Sequence, residues 1–416
     1  MKVLQLSANF YPEKTGIGVI ATDCALFISQ LGHDVTVLTG MPYYPEWTIR
    51  QRYRGRMFMT EHSHDITVRR VWLYVPKVLS PMTRIAHEIS FSALASLRAL
   101  VQRFDLLLCI SPPFTAAFAA ALVASLRRKT LCLYLHDIQP DTAVALGMLA
   151  STGLIRFLSW VERRVYARST KILVLSEAMA RNLEAKGVSR EKLVVVPPAV
   201  DVAEPGEKKR GGNTFRELHG LHSKFLVMYS GNLGVKQSPT MIVECAKRLV
   251  DHADIFFAVS GEGAMKEAVQ KRIGELGLTN IRLFPLCERD ELPGRLSSAD
   301  LLLAPQRREV VDVLVPSKVL TYFASGRPVL ASAHPDSELA RLITDNDAGM
   351  VVPPGDVDAM AEAILFLRAH PLTAHEMGGR GYNVVSSRHA HHIVREKYYR
   401  PLFGHEGILS TACTSP

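Results

Sequence analysis

Short, mainly apolar runs of three to six residues alternate with helix-length segments along this chain, and the alternation starts afresh past its midpoint. The first series has apolar runs at residues 3–7, 35–39, 66–71, 106–110, 130–135, 172–175 and 193–196. The second has them at 225–230, 255–260, 281–284, 301–304, 328–332 and 350–352. Runs without a polar alternate face predict strands buried on both sides, as in a parallel sheet with helices packed above and below. Helical patterns such as 154–167 and 176–186 fall between them. The fold class expected is therefore α/β, with two Rossmann-like domains.

The length of 416 residues suits two cores better than one. We place an N-terminal domain at 1–201, a polar connection with Gly211-Gly212 at 202–224, a C-terminal domain at 225–388, and a closing helix and tail at 389–416. Open α/β sheets bind ligands at the carboxyl ends of their strands, so two of them predict a shared site in an interdomain cleft.

Composition narrows the class further. The six cysteines (24, 109, 132, 245, 287 and 413) have neither zinc-ligand nor disulfide-framework spacing, so reduced, mostly buried thiols in the cytosol are expected. The N-terminus has no signal-peptide pattern. Residues 106–126 carry no formal charge over 21 positions, but Pro112 and Pro113 split them into a strand and a helix rather than a membrane span. The net charge is +9, and residues 1–200 hold 24 Lys+Arg against 14 Asp+Glu, so the whole basic excess is N-terminal. Such a surface suits anionic lipid, a polyprenyl-phosphate carrier or nucleic acid, or else it is a solubilising bias. No nucleic-acid recognition module accompanies it.

Three segments carry chemistry. Gly16 and Gly18 sit between the first apolar run and its helix, where glycine either admits a ligand to the backbone or merely makes a tight turn. Tyr229-Ser230-Gly231-Asn232-Leu233-Gly234-Val235-Lys236 does the same in the second series. Lys236 in a first helical turn is disfavoured by the helix dipole unless an anion lies nearby, and Asn232 offers a neutral hydrogen bond. The third is the segment from Gln306 to Lys318, followed by VLTYFASGRPVLAS.

With that segment the sequence resembles the retaining glycosyltransferases of family 4, in particular their colanic-acid, exopolysaccharide and O-antigen branch. The resemblance extends through NFYPEKTGIG, GHDVTVLTGMPYYP, LHDIQPD, LSEAMARNLEAKGV, VVPPAVD, YSGNLGVKQ and VSGEG, and so covers nearly the whole chain. It implies a GT-B fold, in which two Rossmann-like domains face each other across a deep cleft. It also implies a nucleotide-sugar donor, UDP- or GDP-linked, as co-substrate, with no other cofactor.

The resemblance further implies that Gly16, Gly18, Asn232 and Lys236 surround the donor diphosphate, and that Pro316, Ser317 and Lys318 lie by the donor sugar and phosphates. His136 matches the residue lining the reaction centre, and Asp137 orients it or binds an acceptor hydroxyl. Alternatively, His136 is a hydrogen-bonded structural residue at a strand end. Family members carry two glutamates eight positions apart, where this chain has Val313 and Thr321. Asp312 stands beside the first position, and Thr321 offers one hydrogen bond to a ribose. An arginine often found before the phosphate lysine is replaced by Asn232.

No DxD with a metal-site setting is present, so metal-independent transfer is expected. The acceptor expected is a polyprenyl-diphosphate-linked saccharide, and the enzyme is expected in the cytoplasm, peripherally on the inner face of the membrane. Arg50, Arg52, Arg54 and Arg56, interleaved with aromatics, fit contact with an anionic membrane or a lipid diphosphate. Residues 74–100 fit either an amphipathic helix in the headgroups or a core helix with solvated charges. Two other classes are compatible with the motifs: a nucleotide-sugar epimerase of the same fold, and a non-catalytic sugar-nucleotide binder.

Overall fold

The computed structural model describes residues 1–13, 16–63, 65–78, 80–138, 152–202, 212–288, 290–309 and 317–409. The chain divides into two α/β units, one formed by Met1–Pro197 with Arg395–Pro416 and the other by Pro198–Val394.

The first unit contains an eight-stranded sheet of β1 (Lys2–Leu6), β2 (Asp34–Gly40), β3 (Phe58–Ser63), β4 (Ile66–Val71), β5 (Leu106–Ser111), β6 (Thr130–Leu135), β7 (Lys171–Val174) and β8 (Leu193–Val195). Their order is β3-β4-β2-β1-β5-β6-β7-β8, and every pairing is parallel except β3 with β4. All six residues of β5 are buried, as the uninterrupted apolar run requires. The chain reverses its direction across the sheet between β1 and β5, which makes the carboxyl ends of those two strands the switch point.

The second unit repeats the plan with β9 (Phe225–Ser230), β10 (Ile255–Ser260), β11 (Ile281–Phe284), β12 (Leu301–Pro305), β13 (Val329–Ser332) and β14 (Gly349–Val352). The order β11-β10-β9-β12-β13-β14 is that of a doubly wound nucleotide-binding sheet, with its switch point between β9 and β12. Its two faces are covered by separate apolar clusters, one around Met228, Leu320 and Phe323 and the other around Val227, Phe257 and Ile364.

The structure differs from the sequence reading in three places. Phe58–Ser63 forms an antiparallel edge strand, although its alternation is exposed and intermediate rather than apolar. Residues 212–219, read as part of a connection, form the helix Gly212–His219, whose Phe215 is buried in the second unit's core against Phe284. The boundary between the units falls at Pro197 and Pro198, and the described residues from Arg395 to Leu409 group with the first unit. There Tyr399 packs on Phe27 and its hydroxyl lies 3.2 Å from that of Tyr134 in β6. The segment 106–126 is indeed a strand and a helix, and among the described residues no helix is long and apolar enough to cross a membrane. Cys24, Cys109, Cys132 and Cys245 are free and buried, Cys287 is free and half-buried, and Cys413 lies outside the described residues.

Candidate active site

In the second unit, β9 delivers the chain into the turn that contains Gly231, Asn232 and Gly234. This turn is laced to the one following β10. Gly231 N–H donates to the Ser260 carbonyl at 2.9 Å, Leu233 N–H to that of Glu262 at 2.8 Å, and Met265 N–H to that of Leu233 at 2.9 Å. The approach is too close for a side chain, since a Cβ on Gly261 would stand 2.1 Å from the Gly231 carbonyl oxygen. Lys236 follows in the short turn Val235–Gln237, and its carbonyl accepts from Arg307 N–H at 2.9 Å. The loops leaving β9 and β12 thus meet at the switch point with two cationic residues.

Lys318 completes this end of the sheet. It is the second residue of the helix Ser317–Ala324, which Tyr322 pins to β9: the Tyr322 hydroxyl accepts from Ser230 N–H and donates to the Ser230 carbonyl, each at 2.9 Å. Lys318 Nζ donates to the Tyr229 hydroxyl at 2.7 Å and stands 3.9 Å from that ring's centroid. A Cβ on Gly231 would lie 2.6 Å from Lys318 Cε and 2.9 Å from its Nζ, so the missing side chain makes the room that Lys318 occupies. Burial lowers the Lys318 pKa to about 7. A half-neutralised ammonium against a glycine turn and the positive end of a helix is unfavourable until an anion joins it.

Thr321 is half-buried one turn further along the same helix, and Ser317 opens it. Asp312, Val313 and Pro316 lie outside the described residues. The structure therefore brings Asn232, Lys236 and Lys318 to one end of one sheet, with Thr321 behind them.

In the first unit, the loop leaving β1 reaches Gly16, at φ +62°, which precedes the helix Ile17–Gln30. Gly18 lies in its first turn against Glu13. Glu13, which the sequence reading passed over, is buried and organises this loop. One of its oxygens accepts from Tyr43 N–H and Tyr44 N–H, both at 2.9 Å, and the other from Asn9 Nδ2 at 2.9 Å. Burial nevertheless raises its pKa, outweighing those bonds. Arg70, buried in β4, ties the Tyr11 and Gly40 carbonyls and the Glu61 carboxylate together beneath the loop.

His136 follows β6, and its N–H donates to the Ser111 carbonyl at 2.8 Å at the end of β5. Its ring lies against that of Tyr134, with centroids 4.3 Å apart. Burial pushes the imidazole pKa down to about 3, so it is neutral at physiological pH. Its Nε2 is buried and has no hydrogen-bond partner among the described residues. A buried polar atom left in this state is paired when a substrate or water arrives. Asp137, half-buried, comes next.

Three of the four arginines expected to meet lipid already have contacts within the protein. Arg50 reaches the Pro12 carbonyl at 3.4 Å, Arg52 the Glu61 carboxylate at 3.4 Å, and Arg54 the Ile49 carbonyl at 2.9 Å. Arg56 is exposed.

Nothing local in the sequence marked Glu13 as buried or Tyr229 as the partner of Lys318. Both depend on contacts made across the fold. The one available hint for Glu13 was a carboxylate between Pro12 and a glycine turn.

Residues 15–199 match the model of the glycosyl transferase 4-like domain, and residues 224–370 that of the glycosyl transferases group 1. The chain is 30% identical to the "Putative colanic acid biosynthesis glycosyl transferase WcaI" of Escherichia coli (strain K12) over 91% of its own length and 96% of that protein. It is 27% identical to the GDP-mannose-dependent alpha-(1-6)-phosphatidylinositol monomannoside mannosyltransferase of Mycolicibacterium smegmatis, over 91% and 92% of the two chains. Among solved structures, Anabaena HepE in complex with UDP and glucose superposes with a TM-score of 0.69 at 15% identity, covering 97% of this chain and 99% of that one.

Proposed function

The chain belongs to the group 1 and 4-like glycosyl transferases, and from that membership we propose that it moves a sugar from a UDP- or GDP-linked donor to a polyprenyl-diphosphate-linked saccharide in exopolysaccharide assembly. It is a nucleotide-sugar-dependent glycosyltransferase of the GT-B fold. The observation that carries the donor reading is the crowding of Lys318 against Gly231 and Tyr229 at the β9–β12 switch point, with Lys236 in the adjoining turn. The acceptor reading takes support from the mycolicibacterial relative, whose name records phosphatidylinositol monomannoside, and from the colanic acid relative.

Departure of a nucleoside diphosphate leaves negative charge on its terminal phosphate while positive charge grows at the anomeric carbon. Lys236, Lys318 and the amides of the glycine turn stabilise the first of these charges. Transfer proceeds with retention on the donor's front face, the departing phosphate taking the acceptor's proton. His136, being neutral, positions a hydroxyl through Nε2 instead of abstracting from it. No other cofactor is involved, and the enzyme works at the inner face of the cell membrane, reached from the cytoplasm.

The test is calorimetric binding of UDP- and GDP-sugars, followed by turnover with polyprenyl-diphosphate saccharides. Lys236→Ala should keep the fold and lose transfer. Near-normal turnover in that variant removes the leaving-group role, and the absence of turnover with every lipid-linked acceptor removes the acceptor reading.

A further inference from the structure

Three helices cover one side of the first unit's sheet: Pro81–Leu100 after β4, Phe114–Arg127 after β5 and Thr152–Arg168 after β6. Each belongs to a parallel crossover running the same way across the sheet, so right-handed connections put all three on the same side. They pack side by side. Ser92 donates to Thr115 at 3.0 Å across the first junction, and Arg168 donates to Ser125 at 2.9 Å and to the Ala124 carbonyl at 2.7 Å across the second.

Their inward positions are filled by residues such as Phe91 and Ala95, Ala120 and Val123, and Val161 and Val165, all buried. A surface helix ordinarily turns charged and polar residues outward. These three do not. The outward stripe of the first is Met82, Ile85, Ile89 and Leu97, with Met82 74% and Leu97 62% exposed. That of the second is Phe118, Leu122 and Leu126, and that of the third is Leu154, Phe157 and Trp160, each between 44% and 64% exposed. Three adjoining apolar stripes make a patch of the kind that marks an interaction surface.

The charges beside the stripes are of one sign. Arg84 and Arg98, Arg127 and Arg128, and Arg156, Arg163 and Arg164 all lie on these helices or at their ends. The carboxylates on them are already engaged: Glu162 is buried against Lys186 at 2.9 Å, and Glu88 lies 3.9 Å from Arg84. Arg164 rests over the Trp160 ring at 5.2 Å, an arrangement suited to an interface that is apolar on one side and wet on the other.

We propose that this three-helix face lies on an anionic lipid bilayer, its apolar stripes at the level of the acyl boundary and its arginines among the headgroup phosphates. A second copy of the chain fits less well, because a self-complementary contact would oppose arginine to arginine with no free carboxylate between them. None of the three is long and apolar enough to cross a membrane, so the helices lie in the interface plane. The face is also joined to the loop beside Gly16 and Gly18. His87 of the first helix packs on Trp47, with centroids 5.3 Å apart, and its Nε2 lies 3.0 Å from the Tyr43 hydroxyl, while Glu13 holds the Tyr43 amide. This deepens the lipid-linked reading of the acceptor and rests on it for its purpose, but it stands on separate residues.

The experiment is flotation of the full-length protein with phosphatidylcholine vesicles, with and without phosphatidylglycerol. Ile85→Ser with Ile89→Ser, and separately Phe157→Ser with Trp160→Ser, are compared with Val250→Ser with Leu372→Ser, whose exposed apolar side chains lie in the second unit. The wild type and the control pair should float with anionic vesicles, and each face variant should lose about tenfold or more in partition. Trp160 emission should shift to the blue on binding and be quenched by brominated acyl chains. Unchanged thermal unfolding and nucleotide-sugar binding in the face variants separates loss of docking from loss of fold or of donor chemistry. Undiminished flotation of the face variants, or no flotation of the wild type, overturns the proposal. So does a concentration-dependent dimer that the same variants dissolve in the absence of vesicle binding. Failure to turn over a lipid-linked acceptor in detergent would strike the acceptor reading and leave the docking result standing.

Discussion

Lys318 Nζ donates to the Tyr229 hydroxyl at 2.7 Å and sits over the same ring at 3.9 Å from its centroid. Neither contact carries a full negative charge, and burial lowers the lysine pKa from 10.5 to about 7. Between those two values the unfolded chain holds the proton and the folded chain does not, so this residue's contribution to stability rises with pH across that window. A bound diphosphate reverses the preference by favouring the ammonium. Nucleotide-sugar binding should therefore take up a proton above pH 7, and affinity should fall by up to about tenfold per pH unit as pH climbs beyond it. Calorimetry in buffers of different ionisation enthalpy measures the uptake. Lys318→Met should bind weakly and lose this pH dependence, and a pH-independent wild type would remove Lys318 from the donor site.

Gly231→Ala tests the space beside that lysine. The new Cβ would meet Lys318 Cε at 2.6 Å, and the backbone is held at φ +138°, where a side chain is strained by about 1–3 kcal/mol. Lower thermal stability and at least tenfold weaker nucleotide-sugar binding are expected, on the scale of a lost charge-assisted contact. Gly274→Ala is the control, since its helical position has nothing within 4 Å of the added methyl and should be neutral or slightly stabilising. Equal behaviour of the two variants would show that Gly231 is dispensable.

The fold was largely legible because the strands of two parallel sheets are buried on both faces and read as unbroken apolar runs. Residues 130–135, 225–230, 255–260 and 281–284 were placed at the boundaries the structure gives them. The strand β3 was not, because an edge strand with one exposed face leaves a weak pattern. The helix Gly212–His219 was hidden for a related reason: its burial rests chiefly on Phe215. Return of Arg395 and Tyr399 to the first unit depends on partners more than 250 residues away, Asp23 and Tyr134, and no local pattern encodes it. At the site, glycines and lysines were visible as types in a turn. The geometry that gives Lys318 its pKa and Glu13 its three donors was not.

His136 is expected to stay neutral between pH 5 and 8, because burial holds its pKa near 3 and the imidazole loses its proton above that value. Its NMR resonances should not titrate in that range, and the pH–rate profile of a His136→Asn variant should keep the wild-type inflections. Turnover should fall by roughly a hundredfold in His136→Ala and less in His136→Asn, which retains a hydrogen-bonding group near Nε2. A resonance titrating near pH 6.5 would instead make His136 a candidate proton carrier.

Glu13 gives the sharpest separation of structural from electrostatic support. Its carboxylate is the acceptor for three donors, the Tyr43 and Tyr44 amides and Asn9 Nδ2. Glu13→Ala leaves buried donors unpaired and should cost about 2–4 kcal/mol in unfolding free energy. Glu13→Gln keeps an amide oxygen for the Tyr43 and Tyr44 N–H groups and removes a charge whose burial raises the native pKa. A carboxyl with a raised native pKa favours the folded state most when protonated, and that advantage is lost as pH rises through the native pKa. The Gln variant should thus show a flatter stability profile from the ordinary glutamate range upward. Chemical denaturation at pH 4.5, 6 and 7.5 reads both effects. If Glu13→Ala is as stable as wild type at all three values, the loop beside Gly16 and Gly18 is held by other contacts, and Glu13 has no organising role there.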